Sequence, residues 1–165
     1  MAKLSTIDIT TRANAGTTFT PHLPTLTPQG DYELIYGADG TPATITLLGA
    51  DSTVARRLTR QQRATLQNRM AGMAFSGKKQ DGLTEADIAA QEAHDLDLVV
   101  ACTVAWTGFE DEHDTPLPCT EDHVRALYEA APYLVDQALR HLRDRGRFFG
   151  PSSTPSEPLP PTDSD

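Results

Sequence analysis

The chain has 165 residues with a net charge of −9, made of 23 acidic and 14 basic side chains. Two cysteines are too few for a disulfide framework or a paired-thiolate zinc motif, and fit a reducing compartment. No apolar run approaches 18 residues and MAKLSTIDITTR has no apolar core, so neither a membrane span nor a secretion signal is expected.

In chain order, the first fifty residues are rich in Thr, Pro and Gly. DYELIYGADGTPATITLLG predicts a β-hairpin: YELIY and ATITLL alternate side-chain types, and GADGTP supplies turn residues. TIDIT and TTFT are candidates for further strands or extended arms. Residues 1–50 hold too few large apolar side chains for a core of their own and must pack on the remainder of the chain or on a partner.

After Gly49 the period changes from two to helical. Asp51 or Ser52 can cap a helix in which Val54, Leu58, Leu66, Met70 and Met73 form one apolar stripe, ending at Gly77. Thr84 with Asp87 is a capping-box pattern that opens a second helix through Ile88, Leu96, Val99 and Val100. Its continuation, LVVACTVAW, is the most apolar stretch, and its β-branched later part reads equally as helix or strand. Pro-Leu-Pro then breaks regular structure. Thr120 caps a third helix, and Pro132 opens a fourth with a broad apolar face and cations near its end. The expectation is an α+β chain, mainly α-helical: a small N-terminal β-hairpin region (1–50), about four helices (51–149) and a disordered Pro-rich tail (150–165), which carries five of the twelve prolines.

Charge is segregated. From residue 52 to 80 stand Arg56, Arg57, Arg60, Arg63, Arg69, Lys78 and Lys79 with no acid; from 81 to 122 stand twelve acids with no Lys or Arg. Two oppositely charged helices lying together explain this most simply. Separate partners for each block are the sharper alternative.

TVAWTGFEDEHDTPLPC, with the single tryptophan, raises the question of a metal or acid/base site. Glu110, Asp111, Glu112 and Asp114 could offer oxygens to magnesium or calcium, but EF-hand spacing is absent. His113, Cys119, His123 and Cys102 lack zinc-site spacing. Consecutive loop carboxylates are ordinarily solvated, and no nucleophile elbow, P-loop or dinucleotide fingerprint occurs. The expectation is a non-enzymatic protein with no metal and no cofactor. Nucleic acid is a weak candidate partner: the arginine helix could meet phosphates, yet the chain is acidic overall and no basic-aromatic interleaving is visible. A protein partner fits better, with Arg56, Arg60, Arg63, Met70 and Met73 as candidate binding residues.

Taken in order, ITLLGADSTVARRLTRQQR, then VACTVAWTGFEDEHDTPLPCTEDHVRALYEAAPYLVDQAL, then RGRFFG with its Arg-x-x-Phe ending, resemble the tail assembly chaperones of long-tailed, siphovirus-like bacteriophages over residues 43 to 149. Leu48, Gly49, Asp51 and Ser52 match the helix-entry motif; Trp106, Gly108, Asp111, Pro116 and Leu117 match the second. These look like structural positions. Asp114 stands near the place of the family's usual glycine. The resemblance implies a protein of the host-cell cytoplasm, absent from the finished virion, that coats the tape measure protein and helps tail-tube subunits polymerise. The implied partners are the tape measure protein and, secondarily, the major tail tube protein. Self-association of basic with acidic helices is a further expectation. Alternative readings are a minor structural protein of the tail or head–tail junction and, more weakly, a small nucleic-acid-binding regulator.

Overall fold

A computed structural model describes residues 8–77, 82 and 84–149. The expected tail, Lys78, Lys79 and Asp81 lie outside the described residues. The fold is α+β. In chain order the elements are α1 (Ile9–Ala15), β1 (Thr17–Phe19), β2 (His22–Leu26), β3 (Tyr32–Leu34), β4 (Thr44–Leu47), α2 (Thr53–Ser76), α3 (Glu85–Cys102), β5 (Thr103–Thr107), α4 (Glu121–Ala130), α5 (Pro132–Arg143) and α6 (Gly146–Phe149).

The helix starts follow local chemistry. The Ser52 hydroxyl accepts from the Ala55 N–H at 3.2 Å, capping α2, and the helix stops at Gly77. At α3 the box closes both ways: Asp87 N–H donates to Thr84 Oγ1 at 3.2 Å and Thr84 N–H to Asp87 Oδ2 at 2.9 Å. Thr120 caps α4, and Pro132 opens α5, where a missing N–H costs nothing. α3 ends where β-branched residues begin. The Thr103 hydroxyl donates back to the Val99 carbonyl at 2.7 Å, and the chain continues directly as β5.

The N-terminal hairpin forms differently from the expectation. Its tip closes as predicted, with Gly37 N–H donating to Thr41 O at 2.9 Å and Ala43 N–H to Ile35 O at 2.7 Å. The two arms then part. β3 pairs antiparallel with β2, while β4 becomes the centre of a separate sheet in the order β1-β4-β5. Ile45 lies opposite Trp106 and Thr46 opposite Ala105. The reason is burial: β4 carries Ile45 and Leu47, both wholly buried, and a central strand covers them better than a two-stranded ribbon could. TTFT forms β1, whereas the helix α1 takes up the end of TIDIT. The Asp8 carboxylate accepts from the Thr11 N–H at 3.1 Å and the Thr11 hydroxyl at 2.6 Å, capping that helix.

The core joins both parts of the chain. Ile45 and Leu47 pack with Leu98, Val99, Val100 and Cys102 of α3, Val124 and Tyr128 of α4, and Leu134, Ala138, Leu139 and Leu142 of α5. Burial pushes the Cys102 thiol up to about 11 and the Tyr128 phenol up to about 12.

Candidate protein-interaction surface

The motif residues prove to be fasteners. Leu48 N–H donates to Cys102 O at 2.9 Å, tying the end of β4 to the end of α3. Gly49 is buried where a Cβ would stand 2.9 Å from Ala13 Cβ and 3.1 Å from the Phe148 ring. Asp51 does not cap α2. Its carboxylate takes the Arg145 guanidinium on both oxygens, at 2.5 and 3.0 Å, with Arg56 at 3.5 Å. The Arg145 hydrogen bond, then the charges of Arg145 and Arg56, hold that carboxyl below its usual range. The residues Leu48 to Ser52 and the distant Arg-x-x-Phe ending thus lock each other, with Arg145 on Asp51 and Phe148 over Gly49.

The acidic turn is likewise internal. Trp106 Nε1–H donates to Leu117 O at 2.8 Å, and its ring lies 5.1 Å from that of Phe109. Gly108 has φ 76°, and a side chain there would strike the Ala43 backbone at 2.9 Å. One Asp111 oxygen accepts from the N–H groups of His113 and Thr115, at 2.8 and 2.9 Å, and those bonds depress its pKa. Glu110 accepts from Ala38 N–H at 2.8 Å, and Pro116 bridges back to Glu110. Asp114 is the one non-glycine among the described residues with positive φ, at 56°. Among the described residues, no three His, Cys, Asp or Glu side chains gather as a metal would require.

What these fasteners leave over is an arm. α2 and α3 pack antiparallel, with Gln62 Nε2 donating to Gln91 Oε1 at 3.0 Å and Arg69 on Asp87 at 2.6 Å. The basic α2 and the acidic α3 therefore lie side by side, though Asp95 and Asp97 of α3 pair with Arg143 and Arg125 from outside the basic block. At about 1.5 Å per residue, the 24 residues of α2 span roughly 36 Å. Beyond Gln62 every α2 side chain except Met73 is exposed. The predicted apolar stripe is buried only in part: Val54 and Leu58 pack on the core, while Leu66 is 45% and Met70 66% exposed. Ile88 on α3 is 52% exposed, and Phe75 stands 94% exposed at the end of α2. Phe75 falls outside the predicted stripe, so periodicity did not single it out. Of the candidate binding residues, Arg56 is drawn to Asp51, Met73 is half-buried, and Arg60, Arg63 and Met70 are exposed.

No family model, curated protein or solved structure matches this chain. The surface must speak for itself. No described helix is long and apolar enough to cross a membrane. Exposed Leu66 and Met70, four apart on α2, share one side of that helix, the kind of apolar exposure that marks a site of protein contact, while Phe75 points to another side.

Proposed function

We propose that this chain is a phage tail assembly chaperone that binds the tape measure protein and assists assembly of the tail tube. The observation that carries the reading is the α2–α3 arm, whose exposed Leu66, Met70, Phe75 and Ile88 suit it to shield apolar surface on another protein. The sequence resemblance supports it, since the three stretches that carry it also contain the residues fastened together around Asp51, Gly49 and Trp106. The net charge of −9 would keep chaperone–client complexes apart in solution. In this reading the protein works in the host cytoplasm and leaves before the particle is complete.

Co-expression tests it. Soluble yield of the tape measure protein should rise when this chain is present; unchanged insolubility overturns the proposal. Mass spectrometry of purified virions separates the chaperone, which should be missing, from a minor structural component, which would be found there.

A further inference from the structure

The arm has two sides, and one of them begins at a cleft that the end of α5 borders. Near the body, the C-terminal end of α5 sits at the cleft between α2 and α3. The cleft holds about 180 Å³, and Thr59, Asp95, Leu142 and Arg143 are among its lining residues. Gln91 donates to Asp95 at 3.1 Å, and Arg143 reaches the same oxygen at 3.4 Å. α5 stops at Arg143.

Residues four and seven apart share one side of a helix. From Thr59 that rule leads outward along α2 to Arg63, Leu66 and Met70. From Asp95 it leads outward along α3 to Ile88, with Glu92 between. Continued past the end of α5, the rows that flank the groove between the two helices carry exposed Leu66 and Met70 with Arg63 on α2, and exposed Ile88 with Glu92 on α3. Arg63 and Glu92 make no ion pair among the described residues.

We infer that this groove seats an amphipathic helix of another protein, in line with α5, with acidic residues along the edge that meets α2 and basic residues along the edge that meets α3. A helix fits because Leu66, Met70 and Ile88 stand exposed at helical spacing beyond the cleft, between a basic and an acidic flank. A second copy fits poorly. A two-fold axis along the arm would drive two α5 helices into one space. A two-fold axis across it would lay α2 on its own copy, arginines facing arginines. The inference rests on the client-binding reading of the arm and names the surface that serves it.

The test uses the full chain and two labelled helical peptides of equal composition, each with an apolar stripe. One carries Glu on the flank that meets α2 and Lys on the flank that meets α3; the other has these flanks exchanged. Fluorescence anisotropy should show the first peptide binding more tightly. Met70→Glu and Ile88→Glu, both at exposed positions, should each weaken it about tenfold or more, with circular dichroism unchanged. Equal affinity for the two peptides, binding of neither, or indifference to both variants overturns the inference. So does sedimentation showing a dimer that Met70→Glu dissolves, because the groove would then belong to a second copy. Co-expression keeps the two proposals apart. If wild type solubilises the tape measure protein and Met70→Glu does so equally, the groove assignment fails and the function stands. If wild type does not, the function fails whatever the peptides do.

Discussion

Arg145 grips Asp51 through two parallel hydrogen bonds across 94 residues of chain. The paired geometry is one that arginine makes and lysine cannot. Arg145→Lys should therefore lower the urea midpoint, and Asp51→Asn should lower it too, also releasing Arg56. If the pair acts as a unit, the double variant Asp51→Asn, Arg145→Lys falls little further than the worse single one. A double-mutant cycle by equilibrium denaturation checks this; additive losses would show that the two residues act separately.

Gly49 is a question of space. Its added methyl would meet Ala13 and the Phe148 ring, so Gly49→Ala should cost about 1–3 kcal/mol of stability. Phe148→Ala should cost about 3 kcal/mol. Trimming the ring in a Gly49→Ala, Phe148→Leu variant should cost less than the two changes summed. Thermal and urea unfolding of the set decide it.

Asp114 bears the left-handed backbone that glycine adopts freely. Asp114→Gly should leave stability equal or higher, while Asp114→Val should fall below Asp114→Gly by about 1–2 kcal/mol. The tryptophan emission is a convenient readout, because Trp106 is the only one in the chain and holds the far end of the same loop through Leu117.

His141 is buried, with Nε2 2.7 Å from the Thr17 hydroxyl, its ring 4.8 Å from that of Phe19, and Nδ1 without a hydrogen-bond partner among the described residues. Burial, and secondarily the charge of Arg147, depress its pKa, against an opposing pull from Asp144. The folded state therefore resists the proton that the unfolded chain accepts at about 6.5. Stability should hold above that pH and decline as pH falls through it toward the folded value. His141→Gln should flatten the slope between pH 7.5 and 5.5 in urea titrations. An unchanged slope would place its origin elsewhere.

The helices were legible because their ends are written locally: Ser52, Thr84 with Asp87, Thr120 and Pro132 each satisfy or remove orphan N–H groups within a few residues. Strand pairing was not. Tyr32–Leu34 and Thr44–Leu47 flank a good turn, and nothing local says that the first will pair backward with His22–Leu26 while the second pairs with residues some sixty positions on. TIDIT alternates like a strand, but the Asp8 cap turns its end into a helix. The stripe from Val54 to Met73 shows which side of α2 is apolar; periodicity does not say how far along that side a neighbour extends. That is why the stripe alone does not tell that Val54 and Leu58 pack on the core while Leu66 and Met70 stand exposed. The motifs at Gly49–Asp51 and Arg145–Phe148 were each visible, and their mutual attachment depends on the whole fold.

The arm should also open separately from the body. Past Gln62 and Gln91, the arm's two helices are joined by the Arg69–Asp87 ion pair, and most of the α2 side chains there are exposed. Its outer turns can open and re-form while the core around Ile45, Val99 and Tyr128 stays shut. Amide hydrogens of residues 66–76 and 85–90 should exchange through this partial opening, at rates insensitive to changes such as Phe148→Ala that weaken the core. In the proposed chaperone role, such an arm would reshape itself to successive turns of a long client without the protein unfolding.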